Sequence, residues 1–341
     1  MTATRFYIGL FLVTACTLML QLLQTRILSV LAWYHLAFFA ISMAMFGISA
    51  GAVWVYLRGE RFSSKTLQQD LAHYTTLFAV GIFICLIVQI TLVPVTVKSL
   101  VWVIVWLEIA ITIAIPFFFS GVVVSLALTR SEFPISRVYG VDLAGAGVGC
   151  VLVLLLLEAS DAPTAIMWVG VLAMLASVTF SGTAAPGSGS KATLLGVMTL
   201  VSVLNGLGPY GLQPLAVKGS FEGGSSHIFR EWNSFSRVAV FPEIEALPAM
   251  WGPSWRMPEN TKPMKQRRLQ IDGDAGTMAY EFSGDLNEFQ FLCSDVTNIA
   301  YFLPGREKTA VIGVGGGRDL LSAAVFGATD ITAVEVNPIF I

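Results

Sequence analysis

Charged residues are scarce in this sequence, and the scarcity is confined to its first part. Only 12% of the 341 residues are charged, about half of the roughly 25% that is usual for soluble domains. Residues 1–208 hold 16 of the 42 Asp, Glu, Lys and Arg residues, and residues 209–341 hold the other 26. The sequence therefore predicts an apolar front part and a globular back part.

Cysteine, histidine and positive charge are also too sparse to support several common kinds of site. The four cysteines form no Cys-x-x-Cys pair and there are only three histidines, so neither a disulfide framework nor a zinc site is indicated. A formal net charge of −2 gives no sign of a nucleic-acid partner. We expect neither a metal ion nor a nucleic acid to bind.

Long hydrophobic runs dominate the first 208 residues. They cover residues 6–25, 31–57, 74–97, 100–128, 138–157, 163–181 and 192–208. Most of them reach the ~20 residues that a helix needs to cross the ~30 Å hydrocarbon layer of a membrane. The last run is the shortest and contains Asn205. We predict a transmembrane domain of six to seven helices over residues 1–208, embedded in the lipid bilayer of the cell membrane.

Basic residues in the short loops predict the orientation of these helices. Seven basic residues fall on the same side of the membrane as the N-terminus, namely Arg5, Arg58, Arg61, Lys65, Arg130, Arg137 and Lys191. Only Arg26 and Lys98 fall on the opposite side. This bias places the N-terminus in the cytoplasm. Seven crossings would then leave the back part outside. If that part needs a cytosolic cofactor, either one run does not cross the membrane or the charge bias misleads, and the first alternative is favoured. We therefore expect residues 192–208 to lie in the interface or to re-enter, with the back part cytoplasmic.

A few ionisable residues lie inside the apolar runs. Arg26, Glu108 and Asp142 are costly at membrane depth, which makes them candidates for a functional role beside a partner or a watery cavity. Arg26 and Asp142 lie near predicted helix ends. For these two we favour a structural role over a functional one, either in an ion pair or with the charged group extending to the membrane surface. For Glu108 both interpretations stay open.

Two glycine pairs in the apolar part have the spacing of helix contacts. "GISAG" (47–51) and "GAGVG" (145–149) each place glycines four residues apart, on one face of a helix. We expect neighbouring helices to approach closely there, as is common in membrane bundles.

From about residue 209 the sequence is rich in turn residues and short alternating runs. "SRVAVF" (236–241) and "RRLQIDG" (267–273) are typical of strands, and Asp272-Gly273 at the end of the second is a strong turn signal. Residues 209–304 are therefore predicted to form a linker and a small β-rich lead-in.

Residues 305–341 have the pattern of a nucleotide-binding unit. An apolar strand, "KTAVI" (308–312), runs into four glycines, then into a helical stretch and a second strand that ends at Glu335. This order is the opening of a doubly wound, Rossmann-like α/β domain. The glycines are Gly313, Gly315, Gly316 and Gly317. They let the backbone approach a ligand, and Glu335 can accept both hydroxyls of a ribose. A glycine turn without a ligand is the alternative.

The spacing of the glycines narrows the class of nucleotide. The dinucleotide fingerprint G-x-G-x-x-G needs a small residue where Arg318 stands, which disfavours an NAD-linked oxidoreductase. The pattern present is G-x-G-x-G, Gly313 to Gly317. That pattern is typical of folds that bind S-adenosylmethionine or its decarboxylated form.

Along nearly its whole length the sequence resembles the membrane-fused spermidine synthase-like proteins. These join a multi-pass membrane domain to an aminopropyltransferase or class I methyltransferase-type domain. The matching stretches are "QTRILSVLAWYHLAFFAISMAMFGISAG" (24–51), "RVYGVDLAGAGVGCVLVLLLLE" (137–158), "EWNSFSRVAVF" (231–241), "LQIDGDAGT" (269–277) and, most specifically, "VIGVGGGRDLLSAAVFGATDITAVEVNP" (311–338). The resemblance implies that Glu335 holds the cofactor's ribose. It also implies that the cofactor's amino-acid side is lined by Gly313, Gly315, Gly316, Gly317 and Asp319.

The resemblance also implies a reaction, in which an amine attacks the carbon next to a sulfonium and expels a neutral thioether. Such a reaction needs alignment and an acidic residue that deprotonates or orients the amine. Members that act on polyamines carry a Tyr-His-Glu segment where this sequence has "NEFQFLCSDVTNIAYFL" (287–303), without histidine. The acceptor amine, and the choice between aminopropyl and methyl transfer, are therefore open.

The family's catalytic acid comes from strands that follow the position of Glu335, so no catalytic residue is assigned here. We expect a truncated product that turns over poorly or not at all by itself. The alternative function is a multi-pass transport or sensor protein with a regulatory nucleotide-binding domain. In that case Arg26, Glu108 and Asp142 would matter most.

Overall fold

The computed structural model divides the chain into two units. It describes residues 1–94, 98–182, 188–208, 211–222, 227–254 and 261–341. The first unit is Met1–Glu222 with Trp232–Ser234, and the second is Gly223–Glu231 with Phe235–Ile341. The first is helical and the second contains most of the strands, so the uneven spread of charge along the sequence follows a structural division.

Long apolar helices make up the first unit, and each coincides with one of the predicted runs. Within the described residues seven helices are long and apolar enough to cross a membrane, with mean hydropathies from 1.3 to 2.3. They are α1 (Ala3–Leu31), α2 (Ala37–Leu57), α3 (Leu67–Thr91), α4 (Leu100–Arg130), α5 (Ile135–Ala159), α6 (Ala162–Ser181) and α7 (Ser188–Leu207). The described structure is thus mostly helical, with the features of a multi-pass membrane protein.

Two of the predicted runs differ from the helices that they form. The run 31–57 is not one helix, because a short 3-10 turn, Tyr34–Leu36, separates α1 from α2. The residues expected to lie in the interface or to re-enter form α7, which is unbroken from Ser188 to Leu207 and is itself a candidate span. Length and composition do not decide whether α7 crosses the membrane, so the expectation that it lies in the interface or re-enters stays a prediction. Residues 95–97 of the run 74–97 lie outside the described residues.

Glycine contacts allow the closest approaches between helices. Gly47 and Gly51 of α2 lie against the backbone of α4, and Gly145 and Gly149 of α5 lie against the backbone of α1. A Cβ at any of these four positions would overlap backbone atoms of the neighbouring helix. The packing predicted from the four-residue spacing is confirmed.

Asn205, the polar residue in the weakest run, links α7 to the chain around it. Its Nδ2 donates to Thr164 Oγ1 at 2.8 Å, and its Oδ1 accepts the N–H of Leu212 at 2.6 Å. Asp161 caps α6 by accepting the N–H of Thr164 at 2.7 Å, and its other oxygen accepts Gln213 Nε2 at 2.7 Å. These bonds fix the exit from α7. A small hairpin of β1 (Ala216–Val217) and β2 (Ser220–Phe221) follows.

The lead-in of the second unit is an antiparallel sheet built around one long strand. That strand, β6 (Met264–Ile271), pairs along one edge with β7 (Ala275–Tyr280). Its other edge pairs with β4 (Arg237–Val240) and β5 (Ile244–Ala246), and β3 (Phe229–Trp232) lies beyond β4. The turn from β6 to β7 contains Asp272 and Gly273 at φ of 50° and 77°. Both predicted strands and the predicted turn are confirmed.

The C-terminal residues form a strand, a glycine turn, a helix and a second strand in the predicted order. β8 (Lys308–Ile312) and β9 (Asp330–Val334) pair in parallel, and α8 (Arg318–Val325) connects them. Leu321 and Val325 of α8 pack on a small core whose buried members are Tyr280, Phe289, Phe291 and Leu292. The core joins α8 to β7, so the lead-in supports the glycine turn.

Candidate functional site

The glycine turn between β8 and α8 depends on three backbone angles that favour glycine. Gly313, Gly315 and Gly317 have φ of 81°, 52° and 79°, a region that residues with a Cβ rarely adopt. They are the alternating positions of the G-x-G-x-G pattern. The N–H of Gly313 donates to Val334 O at 2.8 Å, so the turn begins directly at the end of the β8–β9 ladder.

The same glycines differ in what surrounds them. A Cβ built on Gly316 would lie 2.9 Å from Met278 O, and one on Gly315 would lie 3.3 Å from Thr277 Cγ2. At Gly313 and Gly317 nothing among the described residues lies within 4 Å of such a Cβ. Close packing on β7 therefore accounts for Gly316, whereas the sequence had suggested that all four glycines make room for a ligand. Only Gly313 and Gly317 have open space beside them.

Glu335 lies at the tip of β9 and binds the glycine turn through its carboxylate. Its Oε2 accepts the N–H of Gly315 at 3.0 Å, and its Oε1 accepts those of Val336 and Asn337, each at 2.9 Å. A carboxylate offers about four lone-pair positions. Three are occupied, so a ribose that used both hydroxyls would have to displace one backbone group. Ribose binding by Glu335 stays a prediction.

The hydrogen bonds to Glu335 favour its ionised form. The N–H of Gly315 has the largest effect on its pKa, followed by that of Asn337, and both lower it. Slight burial raises the pKa by less, so the net pKa lies below its ordinary value of 4.5. The carboxylate is therefore charged at neutral pH.

A buried ion pair lies at the start of α8, directly after Gly317. Arg318 Nη2 lies 2.6 Å from Asp295 Oδ2 and 3.1 Å from Thr297 Oγ1. The exposed fractions of the two charged side chains are 5% and 0%. Arg318 Nη1 also lies 3.1 Å from Asp319 Oδ1. Sequence reasoning used Arg318 only to exclude a dinucleotide and missed Asp295. The sequence carries no local signal for this pair, because its two residues lie 23 positions apart.

Asp295 also holds a neighbouring loop beside the glycine turn. Its carboxylate accepts the N–H of Trp251 at 2.9 Å, of Gly252 at 3.3 Å and of Thr297 at 3.1 Å. Burial raises the pKa of Asp295, but these bonds and the charge of Arg318 lower it by more. The carboxylate therefore stays charged, and it connects the loop to α8.

Two adjoining cavities lie beside the glycine turn, and neither Glu335 nor Asp295 is among the residues that line them. One, of about 280 Å³, is lined by the glycine turn and by Trp251, Thr277, Asp319 and Phe340. The second, also about 280 Å³, shares Trp251 and Thr277 and adds Met250 and Met278. Together they fall in the range of ~300–1,000 Å³ that is typical of small-molecule sites. Asp319 is 53% exposed and lines the first cavity, where a cationic ligand group could reach it.

The structure separates two of the polar membrane candidates. Gly145, three residues after Asp142, lies against Thr14 of α1. Arg26 is twelve residues further along α1 than Thr14, a distance of about 18 Å at 1.5 Å per residue. Asp142 and Arg26 are both half-buried, but this separation means that they do not share a site. Glu108 in α4 is exposed.

No group of three or more His, Cys, Asp and Glu residues that could hold a metal ion is found within the described ranges. The expectation that no metal binds stays a prediction. No known family model, no curated protein and no solved structure matches this chain. The interpretation of the site therefore depends on its own geometry.

Proposed function

We propose that this protein is a membrane-anchored transferase of the spermidine synthase-like kind that binds S-adenosylmethionine or its decarboxylated form at the glycine turn. The observation that carries the proposal is the bond between Glu335 and Gly315. It places an acidic residue from the tip of the second strand directly at the glycine turn, although the two are twenty residues apart. The parallel pairing of β8 and β9 supports a Rossmann-like, class I methyltransferase-type unit.

The chemistry that suits this ligand is group transfer from a sulfonium. The lone pair of an acceptor amine forms a new C–N bond to the carbon beside the sulfur. The C–S bond breaks and its electron pair stays on sulfur, which becomes a neutral thioether. The ammonium product then releases a proton to a base or to water. The chain contributes alignment and the acidic groups Asp319 and Glu335, which suit a cationic ligand.

The cofactor is made in the cytosol, so the proposal places the second unit on the cytoplasmic side of the cell membrane, with six crossings and with α7 in the membrane interface. The candidate spans supply the anchor. The acceptor is proposed to be a small amine. Aminopropyl transfer follows if the decarboxylated form is the ligand, and methyl transfer follows if S-adenosylmethionine is.

Calorimetric titration of the purified full chain in detergent tests the proposal, with both forms of the ligand. Two glycine variants provide a matched pair. Gly313 and Gly327 have φ of 81° and 86°, with nothing described within 4 Å of a Cβ at either. Gly313→Ala and Gly327→Ala therefore introduce similar backbone strain, but only the first places a methyl group in the cavity.

We expect saturable binding of one ligand form by the wild type and by Gly327→Ala, and at least tenfold weaker binding by Gly313→Ala. No heat with either ligand would contradict the proposal. Equal binding by all three proteins would show that the ligand binds at a place other than the glycine turn.

A further inference from the structure

We propose that Trp251 is an aromatic wall of the cavity at the glycine turn and that it selects the charged sulfonium ligand over the neutral thioether product. This inference rests on the proposed function. It assigns a specificity role to a residue outside the glycine turn and outside both of its strands. The role is chemical, because S-adenosylmethionine and its thioether product S-adenosylhomocysteine differ only in one methyl group and in the charge on sulfur.

The position of Trp251 provides the first argument. Trp251 is 65% exposed, although tryptophan is highly buried on average in folded proteins. It lines the cavity beside Gly313, Gly315 and Asp319, and it also lines the adjoining cavity. A ligand in either space would cover the exposed ring.

The backbone around Trp251 provides the second argument, because it is held from several sides. The N–H of Trp251 donates to Asp295, that of Val296 donates to Gly252 O at 3.0 Å, and that of Ser254 donates to Ser294 O at 2.7 Å. A Cβ on Gly252 would overlap the side chain of Val296. The loop is therefore fixed to its neighbour, and the indole is presented from a rigid base, as a specificity residue requires.

The charges around the cavity provide the third argument. Arg318 lines the same cavity and would repel a sulfonium, but its guanidinium is paired with both Asp295 and Asp319. The three groups together carry one net negative charge. A cation can therefore enter, and the face of Trp251 attracts it through the ring quadrupole. A neutral thioether gains only the apolar contact with the ring.

The test compares dissociation constants for S-adenosylmethionine, its decarboxylated form and the neutral thioether S-adenosylhomocysteine, measured by calorimetry on the full chain in detergent. Trp251→Leu removes the aromatic face and keeps an apolar side chain. Phe282→Leu is the control, because Phe282 is 51% exposed and is not among the residues lining either cavity. Trp251→Phe, which keeps a smaller ring, is the second variant, and thermal melting checks that all of them fold.

We expect Trp251→Leu to weaken sulfonium binding by about 3- to 30-fold, the range of a cation–π contact, with thioether binding changed less than twofold. Trp251→Phe should retain part of the preference, and Phe282→Leu should retain all of it. Equal weakening of both ligands by Trp251→Leu, or no change in either, would overturn the inference while leaving the proposed function standing. Failure of the wild type to bind any ligand would overturn both.

Discussion

Single residues of the glycine turn serve two purposes that the sequence pattern does not separate. Gly313, Gly315 and Gly317 adopt the positive φ angles of the turn, whereas Gly316 lets the turn pack closely against β7 because it has no Cβ. The alternating spacing indicates the first purpose, because a turn of this kind needs positive φ. The second depends on a strand about forty residues earlier in the chain, so local sequence gives no sign of it.

Replacing Gly316 by alanine should lower the stability of the second unit. The new Cβ would lie 2.9 Å from Met278 O, so either the turn or β7 must shift, at a cost of about 1–3 kcal/mol. Thermal melting of the purified protein measures the effect. Gly147→Ala is the control, since nothing described lies within 4 Å of a Cβ there. An unchanged melting temperature for Gly316→Ala would show that β7 does not restrain the turn.

Glu335 should make the stability of the turn depend on pH. Its pKa in the folded protein lies below the ordinary value of 4.5, so its stabilising contribution is complete above about pH 4.5 and is lost as the pH falls further. The melting temperature of the wild type should therefore approach that of Glu335→Gln as the pH is lowered from 6 toward ~3. A difference between the two proteins that stays constant over this range would exclude the carboxylate as the cause.

Asp295→Asn should be among the most destabilising single changes in the second unit. It leaves the charge of Arg318 buried without its main partner, which typically costs about 3–5 kcal/mol. Asp319→Asn is the matched control, because Asp319 contacts the same guanidinium but is 53% exposed, and such a pair contributes about 1 kcal/mol or less. Chemical unfolding of both variants measures the difference. Similar losses for both would contradict the buried pair.

At the scale of elements, the sequence predicted the helices and strands better than their contacts. Apolar runs of about twenty residues gave the candidate spans, since length and hydropathy are local properties. The strand, turn, helix and strand of residues 308–334 were found in the predicted order. Two contacts were not predicted, because they join segments that are distant in sequence. They are the packing of α8 on β7 and the hydrogen bond that the Trp251 N–H donates to Asp295. The ion pair that matters most at the site was missed for that reason.

Two glutamines in α3 allow a prediction about the membrane bundle. Gln89 is 3% exposed, and both heteroatoms of its amide lack a hydrogen-bond partner in the described part of the chain. Gln68 Nε2 donates to Phe180 O at 2.9 Å and to Ser181 O at 3.1 Å, at the end of α6. An unsatisfied polar group in an apolar interior costs about 1–3 kcal/mol, so the two residues should respond oppositely to the same change.

Gln89→Leu should therefore raise the melting temperature in detergent, and Gln68→Leu should lower it. The first change removes an amide without partners, whereas the second leaves two carbonyl groups of α6 without their donor. Destabilisation by Gln89→Leu would indicate that its amide has a partner within the bundle, such as a bound water molecule.

The whole molecule combines an apolar helical unit with a second unit that has a cavity at the glycine turn. The main division between the units falls after Glu222, later in the chain than the change in charge and turn content near residue 209. In the second unit, Asp319, Gly313 and Gly315 of the glycine turn and the exposed Trp251 line one cavity.

A structure of the full chain with bound S-adenosylmethionine, or its decarboxylated form, is the most direct test of the proposal that this ligand binds at the glycine turn. Density for the adenosyl group should follow the backbone of Gly313–Gly317, with the sugar beside Glu335 and the sulfur facing the indole of Trp251. Density at any other place on the molecule, or none at saturating ligand, would contradict the account.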